Sequence, residues 1–245
     1  MAAAVNWTRF AGGAARNLAA TSRAAVTDLV AAGFALGESL GDAVLGRDRE
    51  ESVLRVGVLI LSDTNGPLCT PDDLAPALDA ADRIFRTDAG IRVRVTGVQV
   101  VTEPAPERAL DPGANQRLLL DDMLGHTAFF RDRLPTPGSV GAPVTVVVVR
   151  DIAGRTTGCS LGMTADWVVC QRSLFDSSDA HAYDETVLAH EIGHALNLPH
   201  HRDRSNLMFP SSSPPDGVRG TALRHWQRTL VRANRHTLPG QAHPR

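Results

Sequence analysis

The stretch His190-Glu191-Ile192-Gly193-His194-Ala195-Leu196-Asn197-Leu198-Pro199-His200 constrains this chain more than any other. On a helix, residues four apart lie on nearly the same face, so His190 and His194 can chelate one metal ion. Glu191 then sits about a quarter-turn away, beside the metal rather than on it. A helix does not readily offer a third ligand with good tetrahedral geometry, so the chain must stop and turn back. Asn197 is where that turn is expected, because asparagine tolerates positive φ better than other non-glycine residues. Pro199 prevents the helix from resuming, and His200 follows as the third imidazole. Three imidazoles leave the fourth position of a zinc ion open, which marks a catalytic rather than a structural site. His201 is a rival ligand, but its spacing is off by one residue.

Composition sets limits around that stretch. The chain has 245 residues, a net charge of −2 and 43% apolar residues, enough for a real core. The charge argues against a nucleic-acid partner, which calls for a basic excess. Every basic residue is arginine, so Schiff-base and P-loop lysine chemistry are excluded. Of the nine histidines, the five outside the cluster are expected on the surface or in loops.

Val53–Leu61 reads as a buried strand. Thr70-Pro71-Asp72-Asp73 reads as an N-cap with proline at N1 and acids in the first turn, and Gly90 ends that helix. Ile91–Val101 alternates as a second strand, Gln116–Leu134 as a second helix, and Val144–Val149 as a central strand. Gly158–Val169 reads as an irregular edge strand or hairpin, and Asp184–Leu196 as the histidine-bearing helix. Thr221–His236 reads as a last helix with Leu223, Trp226, Leu230 and Ala233 inward. The order describes a three-layer α+β domain over residues 51–240.

Residues 1–50 differ in composition. Apolar and small residues recur every three or four positions, as on an amphipathic helix, with Gly33, Gly37 and Gly41 on one face. Three readings stay open: a helical extension docking on the domain or a partner through residues 14–46, a helix lying on a membrane surface, and a cleaved targeting segment. Glu38 and Asp42 make this a poor membrane span; Asp28 interrupts the apolar stretch of a targeting segment, and there is no clear cleavage site.

Taken with Ser205-Asn206-Leu207-Met208-Phe209-Pro210, the histidine stretch resembles the metzincin zinc endopeptidases, whose long motif is followed by a methionine turn. Leu-Met-aromatic-Pro at this offset is closest to the matrixin branch. The resemblance covers His190–Pro210 specifically and is compatible in element order back to Val53. It implies a twisted mixed sheet with an active-site helix and a C-terminal helix. It implies one catalytic Zn²⁺ on His190, His194 and His200, with Glu191 as general base and Met208 as a hydrophobic floor. It implies a monomer acting on protein or peptide substrate, with Gly158–Val169 pairing to it as an edge. Three residues depart from the pattern: Asn197 replaces glycine, His201 replaces serine, and Phe209 leaves no tyrosine beside the methionine. The competing functions are a catalytically idle zinc-stabilised binding module and a zinc amidase on small or cell-wall peptides.

Two secondary features remain. Asp176, Asp179, His181 and Asp184 lie where matrixins hold structural ions, but no calcium pattern is present. A solvated loop with Asp184 capping the following helix is the simpler reading. Cys159 and Cys170 flank the proposed hairpin; a disulfide there would favour an extracellular or cell-envelope location, and two buried thiols are the alternative. Cys69 would be a lone thiol.

Overall fold

The computed structural model describes residues 51–114, 116–134, 140–153, 158–161, 166–212 and 217–240, the backbone of 47–49 and 242–244, and six positions between residues 15 and 30. The strands are β1 (Arg47–Arg49), β2 (Ser52–Asp63), β3 (Gly66–Pro67), β4 (Ile91–Pro104), β5 (Val144–Val149), β6 (Gly158–Ser160), β7 (Trp167–Gln171), β8 (Thr237–Leu238) and β9 (Ala242–Pro244). The helices are α1 (Pro71–Ala89), α2 (Glu107–Leu110), α3 (Gln116–Met123), α4 (Ala128–Arg131), α5 (Val187–Ala195) and α6 (His225–Arg232).

One mixed sheet organises the domain. β2 pairs in parallel with β4 on one side and β5 on the other, β5 pairs in parallel with β7, and β6 runs antiparallel to β7. All six residues of β5 are buried, because the strand is central and covered on both faces. The α1 helix links parallel β2 and β4, and packs on β4 and on α5; α5 lies in turn on β6 and β7. The histidine helix is therefore held between a long helix and the antiparallel margin of the sheet. β1 and β9 form a separate antiparallel pair.

The α1 boundaries follow from local chemistry. The Thr70 hydroxyl accepts the Asp73 amide, and the Thr70 amide donates to Asp73 Oδ2 at 2.7 Å, a reciprocal capping box. Gly90 ends the helix at φ 62°, ψ 35°, where a side chain would be strained.

Three expectations change. The helix over Gln116–Leu134 is two pieces, α3 and α4, because Gly125 takes φ 80° between them. The last helix is shorter and turned: Gln227 and Val231 face inward, while Trp226 and Leu230 are 43% and 40% exposed. The cause is polar, since buried Gln227 bonds Asn206 at 2.7 Å. His236 is fully buried against the Ala142 carbonyl rather than on the surface.

The Cys159–Cys170 bridge is not formed; all three cysteines are thiols. In the β6–β7 ladder Cys159 lies opposite Val169 and Cys170 opposite Gly158. Directly opposed residues share a face and successive residues alternate, so the two thiols point to opposite faces of the sheet. Of the N-terminal helix, Ala15, Ala19, Ser22, Val26, Thr27 and Val30 are described, and all are helical. The Gly33–Gly41 stripe and the docking, membrane and targeting readings lie outside the described residues. Among the described residues no helix is long and apolar enough to cross a membrane.

Candidate metal centre

The α5 helix carries His190 and His194 one turn apart, and its end delivers His200. The Leu198 amide donates to the Gly193 carbonyl at 2.9 Å, and the Asn197 amide to the His194 carbonyl at 3.0 Å. This is a Schellman turn, and it needs a left-handed residue at Asn197. Asn197 has φ 67°, the one positive φ among the described non-glycine residues. The expected stop and reversal are in place.

The turn also orients a ring. The Leu198 carbonyl accepts from His194 Nδ1 at 2.8 Å, and the Leu207 carbonyl accepts from His190 Nδ1 at 2.8 Å. With Nδ1 donating, each Nε2 presents a lone pair. Those lone pairs converge: His194 Nε2 lies 3.2 Å from His190 Nε2 and 3.1 Å from His200 Nε2. Unprotonated nitrogens so close repel unless a cation sits among them. In a tetrahedral zinc site with bonds of about 2.0–2.1 Å, ligand atoms lie about 3.3 Å apart, so the donor set fits zinc. These three histidines are the one group among the described residues able to share an ion.

Burial keeps the rings neutral. Desolvation pushes His190 down to about 2 and His194 down to about 4, and lowers His200. Ligation requires neutral imidazole, so the fold prepares these side chains for a metal. His201 is committed elsewhere: its amide donates to the Met208 carbonyl at 2.8 Å, and its Nδ1 accepts from the Asp203 amide at 3.1 Å.

Glu191 is buried, and its Oε2 has no hydrogen-bond partner. Burial raises its carboxyl to about 8, opposed by the charge of Arg219. Gly158 of β6 cradles it: a Cβ there would stand 2.5 Å from Glu191 Oε1 and 2.7 Å from Cδ. Met208 is fully buried, with its sulfur against Gly193, the residue just before His194. Gly193 is thus small because Met208 lies under it.

The acids before α5 do not gather. Asp176 accepts from Ser178, Asp179 from the His181 and Ala182 amides, and Asp184 from Thr186. Asp184 is also buried against Arg219, a residue that sequence reasoning missed; its signal was a single basic side chain in the Ser/Pro/Gly-rich stretch after Met208. Gly158 and Cys170 were missed as neighbours of Glu191, because strand pairing brings them there from a distance in sequence.

Residues 150–223 include the whole centre: three histidines, Glu191, Gly158, Met208 and Arg219. That segment matches the matrixin family model, Peptidase M10. No curated protein matches the chain. Among solved structures, metalloproteinase-II from Bacteroides fragilis is similar at 16% identity over 75% of this chain, with TM-score 0.46. The chain spans about half the length of that protein, 54%. Archaemetzincin from Methanopyrus kandleri is similar at 16% identity over 74% of this chain and 94% of its own, with TM-score 0.48. Mirolysin, solved in complex with compound 9, is similar at 12% identity over 75% of this chain and 91% of its own, with TM-score 0.52. At that identity the mirolysin likeness is one of fold alone.

Proposed function

We propose that the chain is a zinc-dependent endopeptidase that cleaves peptide bonds with an activated water and Glu191 as general base. The observation that carries this reading is the convergence of three Nε2 lone pairs beside a buried carboxyl with a free oxygen. His190, His194 and His200 would hold the ion. Bound there, zinc supplies Lewis acidity, which polarises a carbonyl and acidifies a water at neutral pH.

The chain's own groups do the rest. Glu191 Oε2, unpartnered in the fold and ionised when a cation is held by the adjacent histidines, takes the proton from water and returns it to the leaving nitrogen. Gly158 leaves room for that carboxyl, and Met208 supports the helix beneath the histidines.

Glu191→Ala is the direct test. Zinc content by atomic absorption should stay near one per chain, while cleavage of casein or a quenched peptide library falls at least about 100-fold. Undiminished cleavage would overturn the mechanism. Stoichiometric zinc without any hydrolysis by the unsubstituted protein would instead favour the idle binding module, and turnover confined to small or cell-wall peptides the amidase.

A further inference from the structure

The α6 helix keeps two large apolar side chains in the open. Gln227 and Val231 are buried, while Trp226 and Leu230, one turn apart, are 43% and 40% exposed. The N-terminal stretch holds a second pair at the same spacing. Val26 and Val30 are both helical, and they are 63% and 45% exposed. Residues four apart share a helix face, so each pair presents one small apolar surface.

The path of the chain brings the two pairs to one end of the molecule. β1, which follows the N-terminal stretch, pairs with β9, and the start of β2 pairs with β8; both partners come soon after α6. The Ser52 amide donates to the Gly90 carbonyl at 3.0 Å, and Arg232 Nε of α6 donates to the neighbouring Ala89 carbonyl at 2.5 Å. The N-terminal stretch therefore enters the domain beside the last turn of α6. Residues 31–46 form the tether between Val30 and β1, and even at helical rise they reach about 24 Å. Trp226 lies only about 9 Å along α6 from Arg232 at the same rise.

Charge favours their approach. From Ala24 to Gly46 the chain has Asp28, Glu38 and Asp42 and no basic residue, whereas from Gly217 to Arg245 it has arginines and no acid. Opposite charge on two stretches steers them together. A short tether holds the local concentration at roughly millimolar, so a small apolar contact suffices to keep them joined. We propose that residues 24–46 are the partner of the exposed α6 face, the stretch folding back so that Val26 and Val30 pack on Trp226 and Leu230. Both pairs stand open in the structure, and closing one on the other removes apolar surface from water on both sides. The inference is independent of the peptidase reading.

The test reads Trp226 in the full chain. Trp167 is buried, and Trp7→Phe removes the third tryptophan, so acrylamide quenching of W7F fluorescence reports mainly on Trp226. Val26→Asp together with Val30→Asp in that background should raise the quenching constant at least about twofold, as the docked population is lost. The added acids would strengthen a purely electrostatic attraction to the arginines, so release identifies the apolar contact. Leu230→Asp should release Trp226 equally, and it decides the matter if V26D/V30D unfolds the stretch itself. Equal quenching in W7F and in these variants would overturn the proposal. So would shielding of Trp226 that grows with protein concentration alongside a dimer in ultracentrifugation, which would make a second copy the partner. Shielding that appears only with phosphatidylglycerol vesicles would overturn it in favour of a lipid surface.

Discussion

Asn197 shows how one residue reaches the chemistry. Its left-handed φ lets the Leu198 carbonyl turn back onto His194, so a backbone torsion selects which ring nitrogen faces the metal. A β-branched side chain resists that torsion, at roughly 1–2 kcal/mol per left-handed residue, whereas glycine adopts it readily. Asn197→Val should weaken zinc affinity about 10–100-fold, the usual cost of losing a partner of a metal-bound histidine. Asn197→Gly should stay within about threefold. Competition with a chromophoric chelator measures both, and equal affinity of the Val variant would show that the turn does not orient the ring. The convergence of His190, His194 and His200 was readable because spacing and turn chemistry are local. Arg219 was not, since its partner lies 35 residues upstream and only the tertiary fold joins them.

At the scale of elements, local signals again did best. Thr70, Asp73 and Gly90 delimit α1 because caps involve residues a few positions apart. Patterning misjudged α6, where Trp226 and Leu230 offered an apolar stripe but buried Gln227 bonds Asn206. It also merged α3 and α4, because one glycine in a left-handed conformation breaks a helix that periodicity alone continues. Strand register governs the cysteines in the same way. Unfolding the protein in guanidinium without reductant should expose three titratable thiols per chain, and a count of one would restore the bridge. In the native protein Cys69 is pushed up to about 12, by burial and then by the charge of Asp73. Below that value little of it is thiolate, so its alkylation should keep rising through pH 9–10, where an ordinary thiol levels off.

Across the whole molecule, the centre joins parts that are far apart in sequence. The α5 helix rests on α1 and on the β6–β7 margin, the Leu207 carbonyl holds His190, and Arg219 ties the later loop to Asp184. A metal on the three histidines would bind the native state and not the unfolded chain. With zinc at about 100 times its Kd, that adds about 2.7 kcal/mol. For a domain of this size, removing it with a chelator should lower Tm by about 5–10 °C, read by calorimetry. An unchanged Tm at saturating chelator would contradict metal binding at this centre.

The two groups that set the tautomers of His190 and His194 are main-chain carbonyls, those of Leu207 and Leu198. No codon change removes a carbonyl. The electronic arrangement of these rings is therefore inherited from the path of the chain rather than from particular neighbours, and substitution at either position can disturb it only by moving the backbone.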